Sequence, residues 1–147
     1  FAGCLFFYFI LWAPSLLYFS AFGAVTGLDA AGAAGSYVGA YAMLLLMGCL
    51  FTAIGCLSSA LTDNQIVAAV VCFSAILCLF FIGLLAFFIP ATGTALREVT
   101  YYFSPIEHMM DFSRGIFDTR PVVFYLSSTL VVLFATFHIF QYRRWKA

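Results

Sequence analysis

The chain alternates between long apolar runs and short polar segments. Four apolar runs cover about residues 3–22, 37–60, 64–89 and 121–141. At 1.5 Å per residue, each run is long enough to cross the roughly 30 Å hydrocarbon core of a bilayer. The polar joint at residues 62–65 is so short that it predicts a tight hairpin of two spanning helices. The pattern therefore predicts an all-α polytopic membrane protein with four transmembrane helices.

Polar residues and prolines mark the expected helix ends. Ser36 is a suitable N-cap for the second spanning helix, and the Gly/Ala-rich residues 23–36 before it predict a short interfacial loop. Asp63 or Asn64 can cap the third helix. Pro121 suits the first turn of the last one, where its missing N–H costs nothing.

The connection before the last span predicts an amphipathic helix over about residues 105–116. Ser104 and Glu107 have the spacing of a capping box, and Pro105 suits the first helical position. The predicted polar face carries Glu107, Asp111, Arg114 and Asp118, and the predicted apolar face carries Ile106, Met109, Met110 and Ile116. His108 is expected at the edge of this helix. We expect the helix to lie on the membrane surface or to dip into it.

Composition strengthens the membrane interpretation. Hydrophobic residues make up 65% of the chain and charged residues 8%, against roughly 45–50% and about 25% in soluble domains. The net charge is zero, which argues against a nucleic-acid partner or a polybasic surface role. Five cysteines lie in the apolar runs without any C-x-x-C pair, so they predict small buried side chains rather than a redox or zinc site.

The sequence contains no pattern typical of an enzyme or of a cofactor site. P-loop, GxGxxG, HExxH and Ser/His/Asp arrangements are absent. Ionisable residues are nearly absent from the four apolar runs, whereas carriers driven by protons or sodium bury such residues on the transport path. The pattern is compatible with a membrane scaffold, or with a transport subunit whose energy comes from another protein.

Small residues recur on one face of the second spanning helix. Gly48, Thr52, Gly55 and Ser59 follow one another at helical spacing. Small side chains allow membrane helices to approach closely. This helix-packing face can serve either a neighbouring helix of the same chain or a second subunit.

Charge alone does not orient the chain in the membrane. Lys and Arg residues number three on each predicted side, so the positive-inside rule gives a tie. Because Phe1 lies directly inside an apolar run, we expect a further segment upstream of it.

Several motifs resemble the permease subunits of ABC-2 type transporters, in particular the subgroup associated with gliding motility and nitrous-oxide-reductase maturation. The resemblance rests on Gly39-Ala40-Tyr41, on residues 51–69, on residues 104–120 and on Arg143-Arg144-Trp145. It implies that the four predicted spans are the last four of six, and that the upstream coupling helix lies outside this sequence. It also implies that the amphipathic helix is a re-entrant helix at the exit.

The resemblance further implies a function and a set of partners. The chain would be the membrane-spanning subunit of an ATP-driven exporter, not itself an enzyme, in a bacterial inner membrane with its C-terminus in the cytoplasm. Its partners would be a soluble P-loop ATPase and a second permease copy. The ATPase would lie near the turn Thr62, Asp63, Asn64 and Gln65, and an outer lid would contain Glu107, Asp111, Arg114, Asp118 and Arg120. The alternative is a scaffold that anchors a cell-envelope complex without transporting anything.

Overall fold

A computed structural model describes residues 1–26, 30–88, 102–115 and 118–146. These residues are helical almost throughout and contain no strand, so the all-α prediction is confirmed. The helices are α1 (Ala2–Thr26), α2 (Ala30–Leu61), α3 (Gln65–Phe88), α4 (Pro105–Ser113) and α5 (Thr119–Lys146).

Three helices are long and apolar enough to cross a membrane. The candidate spans are Gly35–Leu61 in α2, Gln65–Leu84 in α3 and Thr119–Tyr142 in α5. The apolar part of α1, Ala2–Tyr18, is shorter. The chain is therefore a membrane-spanning protein with three candidate spans among the described residues, while a fourth span through α1 stays a prediction.

The boundary between α1 and α2 differs from the sequence-based expectation. Ser36 does not cap α2, because α2 begins at Ala30 and Ser36 is a half-buried residue inside it. Four of the residues from Ala30 to Gly35 are alanines, and alanine has the highest helix propensity of all residues. That propensity offsets the two glycines of the segment, so the helix extends where a loop was expected. Asp29 lies outside the described residues.

Helix α2 forms the centre of the fold and contacts each of the other four helices. The buried core joins residues of α2 to one aromatic residue each from α4 and α5. Its members are Met43, Met47, Leu50, Ile54, Phe112 and Tyr125. Burial of large side chains along α2 therefore fixes the positions of α4 and α5.

Contacts along α2 give the directions of its neighbours. The Tyr8 hydroxyl of α1 donates a hydrogen bond to the Leu44 carbonyl, and the Ser15 hydroxyl is hydrogen-bonded to the Tyr41 hydroxyl. The later residue of α1 meets the earlier residue of α2, so the two helices are antiparallel. Helix α3 is also antiparallel, because the turn before it is tight. Helix α5 runs parallel to α2, since Gly115 before it lies near Ser36, whereas its Phe140 shares a cavity with Ser59.

The bundle consequently has two distinct ends. The turn between α2 and α3 and the last turn of α5 lie at one end, which we call the turn end. Helix α4 lies at the opposite end, which we call the α4 end, where Gly83 of α3 approaches Ser104.

Candidate functional site

The start of α4 is fixed by a buried serine. Ser104 is fully buried, and its Oγ accepts a hydrogen bond from the backbone N–H of Glu107 at 3.3 Å. Pro105 follows at the first helical position. The predicted cap of Ser104 and the place of Pro105 are thus confirmed. Because the capping side chain is itself buried, the start of α4 depends on how the helix packs against its neighbours.

The buried face of α4 is only partly the face predicted from hydropathy. Pro105, His108 and Phe112 are buried, and Met109 packs against the core as predicted. Ile106 and Met110 are exposed, and Ile116 lies outside the described residues. The spacing of three and four residues places the buried trio on one stripe of the helix. In a membrane protein an exposed apolar side chain can face lipid, so hydropathy does not distinguish the two faces.

His108 accordingly lies in the core rather than at the edge of α4, which corrects the sequence-based expectation. Its ring packs against Phe124 and Tyr125 of α5, with centroid distances of 6.4 and 5.9 Å. Burial lowers the pKa of His108 below its ordinary value, and the carboxylates of Asp111 and Asp118 oppose this shift more weakly. The neutral imidazole is therefore the form that the docked helix favours.

Tyr125 brings a second polar group into this buried cluster. Its side chain is 2% exposed. The hydroxyl makes no hydrogen bond with any residue in the described ranges. On the same helix, the buried Thr129 donates its hydroxyl hydrogen bond to the Tyr125 carbonyl at 2.7 Å. The cluster under α4 thus mixes aromatic surface with a few polar atoms.

Helix α4 ends in a left-handed glycine. Gly115 has φ +78°, and its N–H donates to the Phe112 carbonyl at 3.0 Å. The exposed Arg114 forms the C-cap, with its N–H bonded to the Met110 and Asp111 carbonyls. A side chain at φ +78° is strained, so glycine suits this turn.

The five residues predicted to form an outer lid all lie at the α4 end. Glu107 and Asp111 are half-buried, and Arg114, Asp118 and Arg120 are exposed. Asp118 also has a structural role, because its Oδ1 accepts a hydrogen bond from the Arg120 N–H at 3.1 Å and caps α5. The fold therefore collects these charges around one short helix. A role in gating remains a prediction.

The polar turn lies at the other end of the bundle. Asn64 Oδ1 accepts a hydrogen bond from the Ile66 N–H at 3.0 Å, which confirms Asn64 as the cap of α3. Thr62 is half-buried and donates to the Ser58 carbonyl at 3.2 Å. Asp63, Asn64 and Gln65 are exposed. Their exposure makes the turn accessible to a partner in the aqueous phase.

The helix-packing face of α2 is divided between a helix contact and a cleft. The ring of Tyr8 lies directly over Gly48, and the Tyr8 hydroxyl donates to the Leu44 carbonyl at 3.0 Å. Thr52 donates its hydroxyl hydrogen bond to the Gly48 carbonyl. Gly48, Thr52, Gly55 and Ser59 also line one side of an apolar cavity of about 620 Å³. The other lining residues are Phe1 before α1, Cys4 and Tyr8 of α1, Phe51 and Cys56 of α2, and Phe140 of α5.

Two close contacts were not anticipated from the sequence. Gly83 is a buried residue of α3 beside Ser104, and Tyr8 is the residue that covers Gly48. A single glycine inside an apolar membrane run is a signal of close helix approach. That signal was available for Gly83, but it does not name the approaching residue.

Within the described residues, no group of three His, Cys, Asp or Glu side chains could hold a metal ion. The five cysteines are free thiols. Comparison with protein-family models, with curated proteins and with solved structures gave no match for this chain.

Proposed function

We propose that the chain is the membrane-spanning permease subunit of an ATP-driven exporter of the ABC-2 type, with ATP hydrolysed by a separate soluble subunit. The observation that carries the proposal is the joint placement of two motif blocks. Residues 51–65 end in the tight polar turn, and residues 104–120 contain α4, which packs against both α2 and α3. The motifs that resemble the family are thus the elements that occupy the two ends of the bundle.

The distribution of charge supports an external energy source. No Asp, Glu, Lys or Arg occurs between residues 30 and 61 or between residues 65 and 88. Coupling to a proton or sodium gradient normally uses ionisable groups at membrane depth. An ATPase that acts on the polar end of the helices needs no such groups, because mechanical force can be applied at the turn.

The ATPase is proposed to contact the turn end. The exposed Asp63, Asn64 and Gln65 form a polar surface there, and the last helix, α5, ends at the same end of the bundle. This end would face the cytoplasm, in agreement with the family topology. The coupling helix implied by the resemblance would provide the main contact, and the turn a secondary one.

A charge reversal at Asp63 tests this contact. Asp63→Lys in the full-length tagged protein should reduce the amount of ATPase subunit that co-purifies from detergent-solubilised membranes. Arg114→Glu is the matched control, because it reverses an exposed charge at the α4 end. Asp63→Asn separates loss of charge from reversal. ATPase recovery that is unchanged in Asp63→Lys would remove the turn from the contact.

The α4 end is proposed to form the outer lid of the permease. Arg114 is exposed and lies where α4 ends, so it can brace the lid against Asp118 or Asp111 without taking part in the core. Arg114→Ala should impair transport while leaving membrane insertion intact. Arg114→Lys keeps the charge and should retain most activity. Loss of accumulation in Arg114→Ala would instead assign the residue a structural role.

A further inference from the structure

Helix α4 is held in the fold by few buried side chains. It has nine residues, of which Pro105, His108 and Phe112 are buried, while Ile106 and Met110 are exposed. An element with so few buried contacts opens at a lower free-energy cost than a helix packed along its whole length. Release of α4 from the bundle should therefore cost less than unfolding of the central helix α2.

The buried side chains of α4 reach three different helices. Pro105 lies beside Gly83 of α3. Phe112 belongs to the core cluster, most of whose members are in α2. His108 is 4% exposed, and its ring packs against two aromatic rings of α5. Proline and phenylalanine side chains do not ionise, so among these three contacts that of His108 can gain a charge.

The surroundings of His108 contain little that could compensate a positive charge. Helices α2 and α3 have no Asp, Glu, Lys, Arg or His between residues 30 and 61 or between residues 65 and 88. Their titratable groups in the halves nearer to α4 are Tyr37, Tyr41 and Cys78. Those groups and the Tyr125 phenol of α5 are neutral at acidic pH.

The charged groups near His108 lie on α4 itself and at the start of α5. None of them is buried. They are Glu107, Asp111, Arg114, Asp118 and Arg120. Tyr102, before α4, is an exposed phenol that stacks on Phe124. Arg97 and Glu98 lie outside the described residues.

Burial of His108 outweighs the attraction of these carboxylates. Burial lowers the pKa of His108 below its ordinary value, and Asp111 and Asp118 oppose that shift more weakly. In a released α4 the imidazole is hydrated, with a pKa near the ordinary 6.5. Below about pH 6.5 the released state thus binds more protons than the docked state, and docking weakens as the pH falls.

The two ends of α4 allow the helix to move without unwinding. Gly115 follows the C-cap Arg114 with φ +78°, and glycine adopts positive and negative φ with similar ease. A change of direction at this residue therefore costs little. The hydrogen bond from the Glu107 N–H to the Ser104 Oγ lies within the segment. It need not break when α4 leaves its neighbours.

We propose that α4 is an acid-released lid, in which protonation of the buried His108 detaches the helix from α2, α3 and α5. Release uncovers the side chain of Tyr125, which is 2% exposed when α4 is docked. The device goes beyond the proposed transport function and does not depend on an ATPase partner. Its use as a gate would rest on that function, whereas the release itself is measured on the chain alone.

Hydrogen exchange of the full-length chain in nanodiscs tests the release. Mass spectrometry follows exchange at pH 7.5, 6.5 and 5.5, with exposure times scaled to the intrinsic exchange rate at each pH. Protection of the amides in residues 106–113 should fall severalfold between pH 6.5 and pH 5.5, with about tenfold per pH unit as the limit for uptake of one proton. Protection in the middle of α2 and α3 should stay unchanged.

Variants of His108 identify the group that titrates. His108→Gln should make protection of α4 nearly equal at pH 5.5 and pH 7.5, because glutamine stays neutral. His108→Phe keeps an aromatic ring beside Phe124 and gives the same result, so it replaces the first variant if that one does not accumulate. His138→Gln is the matched control, since His138 is exposed in α5, and it should retain the pH dependence.

Three results would overturn the proposal. Protection of α4 that is the same at all three pH values would show that the helix is not released by acid. A parallel loss of protection in α2 would show general unfolding instead of a local device. A fall in α4 protection that persists in His108→Gln or His108→Phe would assign the titration to another group.

Discussion

Gly83 of α3 lies so close to Ser104 that a Cβ atom at Gly83 would be 2.9 Å from the Ser104 Oγ and 3.2 Å from the Pro105 Cδ. Ser104 cannot easily move away, because its Oγ accepts a hydrogen bond from the Glu107 N–H at the start of α4. The contact therefore makes the docking of α4 dependent on the absence of a side chain in α3.

Gly83→Ala should destabilise the fold by about 1–3 kcal/mol, the usual cost of overpacking a close contact. Thermal unfolding of the purified protein in detergent measures the change. Gly35→Ala is the control, because no other helix among the described residues has an atom within 4 Å of a Cβ at that position of α2. The control should be neutral or slightly stabilising, since alanine is the better helix former. Equal stability of the two variants would contradict the contact.

Ser104→Ala should destabilise the first turn of α4, because it removes the N-cap side chain. Loss of an N-cap serine costs about 0.5–2 kcal/mol. Hydrogen exchange measured by mass spectrometry should show faster exchange of the amides in residues 106–113. Ser113→Ala removes an exposed hydroxyl from the same helix and should leave exchange at the start of α4 unchanged. Protection that survives in Ser104→Ala would mean that packing alone holds α4.

His108 should make the stability of the protein depend on pH. Its pKa is lower in the folded protein than its ordinary value of 6.5, because the site is buried. The unfolded chain therefore binds more protons than the folded one below about pH 6.5, and stability falls as the pH decreases through that range. The nearby carboxylates of Asp111 and Asp118 reduce the effect without reversing it.

Thermal unfolding of His108→Gln against pH isolates this contribution. The variant replaces the imidazole with a neutral polar group, so its stability should fall less steeply from pH 7 to pH 5. His138→Gln is the control, because His138 is exposed and stacks on Phe134 in the same helix. A pH slope in His108→Gln as steep as in the unaltered chain would place the responsible group elsewhere.

The contact between Tyr8 and Gly48 predicts strong coupling between α1 and α2. A Cβ at Gly48 would lie 2.6 Å from the Tyr8 Cζ, so Gly48→Ala should cost about 1–3 kcal/mol. The cost should largely disappear when Tyr8 is replaced by Ala. A double-mutant cycle by thermal unfolding should therefore give a coupling energy of about 0.5–3 kcal/mol.

Gly55→Ala serves as the control for that cycle. It lies on the same face of α2, but its Cβ would meet only the Cys72 Sγ, at an ordinary distance of 3.8 Å. Gly55→Ala should be nearly neutral and additive with Tyr8→Ala. Additive behaviour of Gly48→Ala with Tyr8→Ala would show that α1 does not pack on α2 in this register.

Much of the helical architecture could be predicted from the sequence. Runs of apolar residues identified α2, α3 and α5, because membrane helices leave their strongest signal in length and composition. The caps at Asn64 and Ser104 were also predictable, since capping depends on residue type and local spacing.

The packing of α4 could not be predicted from hydropathy. His108 is buried and Met110 is exposed, although a polarity scale ranks them the other way. Lipid accepts exposed methionine, and the aromatic surface of Phe124 and Tyr125 accepts a neutral imidazole. Which residue meets which partner depends on tertiary contacts such as Gly83 with Ser104, and no local pattern contains that information.

Measurement of the ATPase activity that co-purifies with the full-length tagged chain tests the proposed function most directly. The eluate from detergent-solubilised membranes is assayed for vanadate-sensitive ATP hydrolysis, and its subunits are quantified. The proposal predicts a soluble P-loop ATPase in nearly equal amount, and the recovered amount should decline in Asp63→Lys and not in Arg114→Glu. An intact, well-folded chain that elutes without any ATPase would contradict the proposal and favour the membrane scaffold.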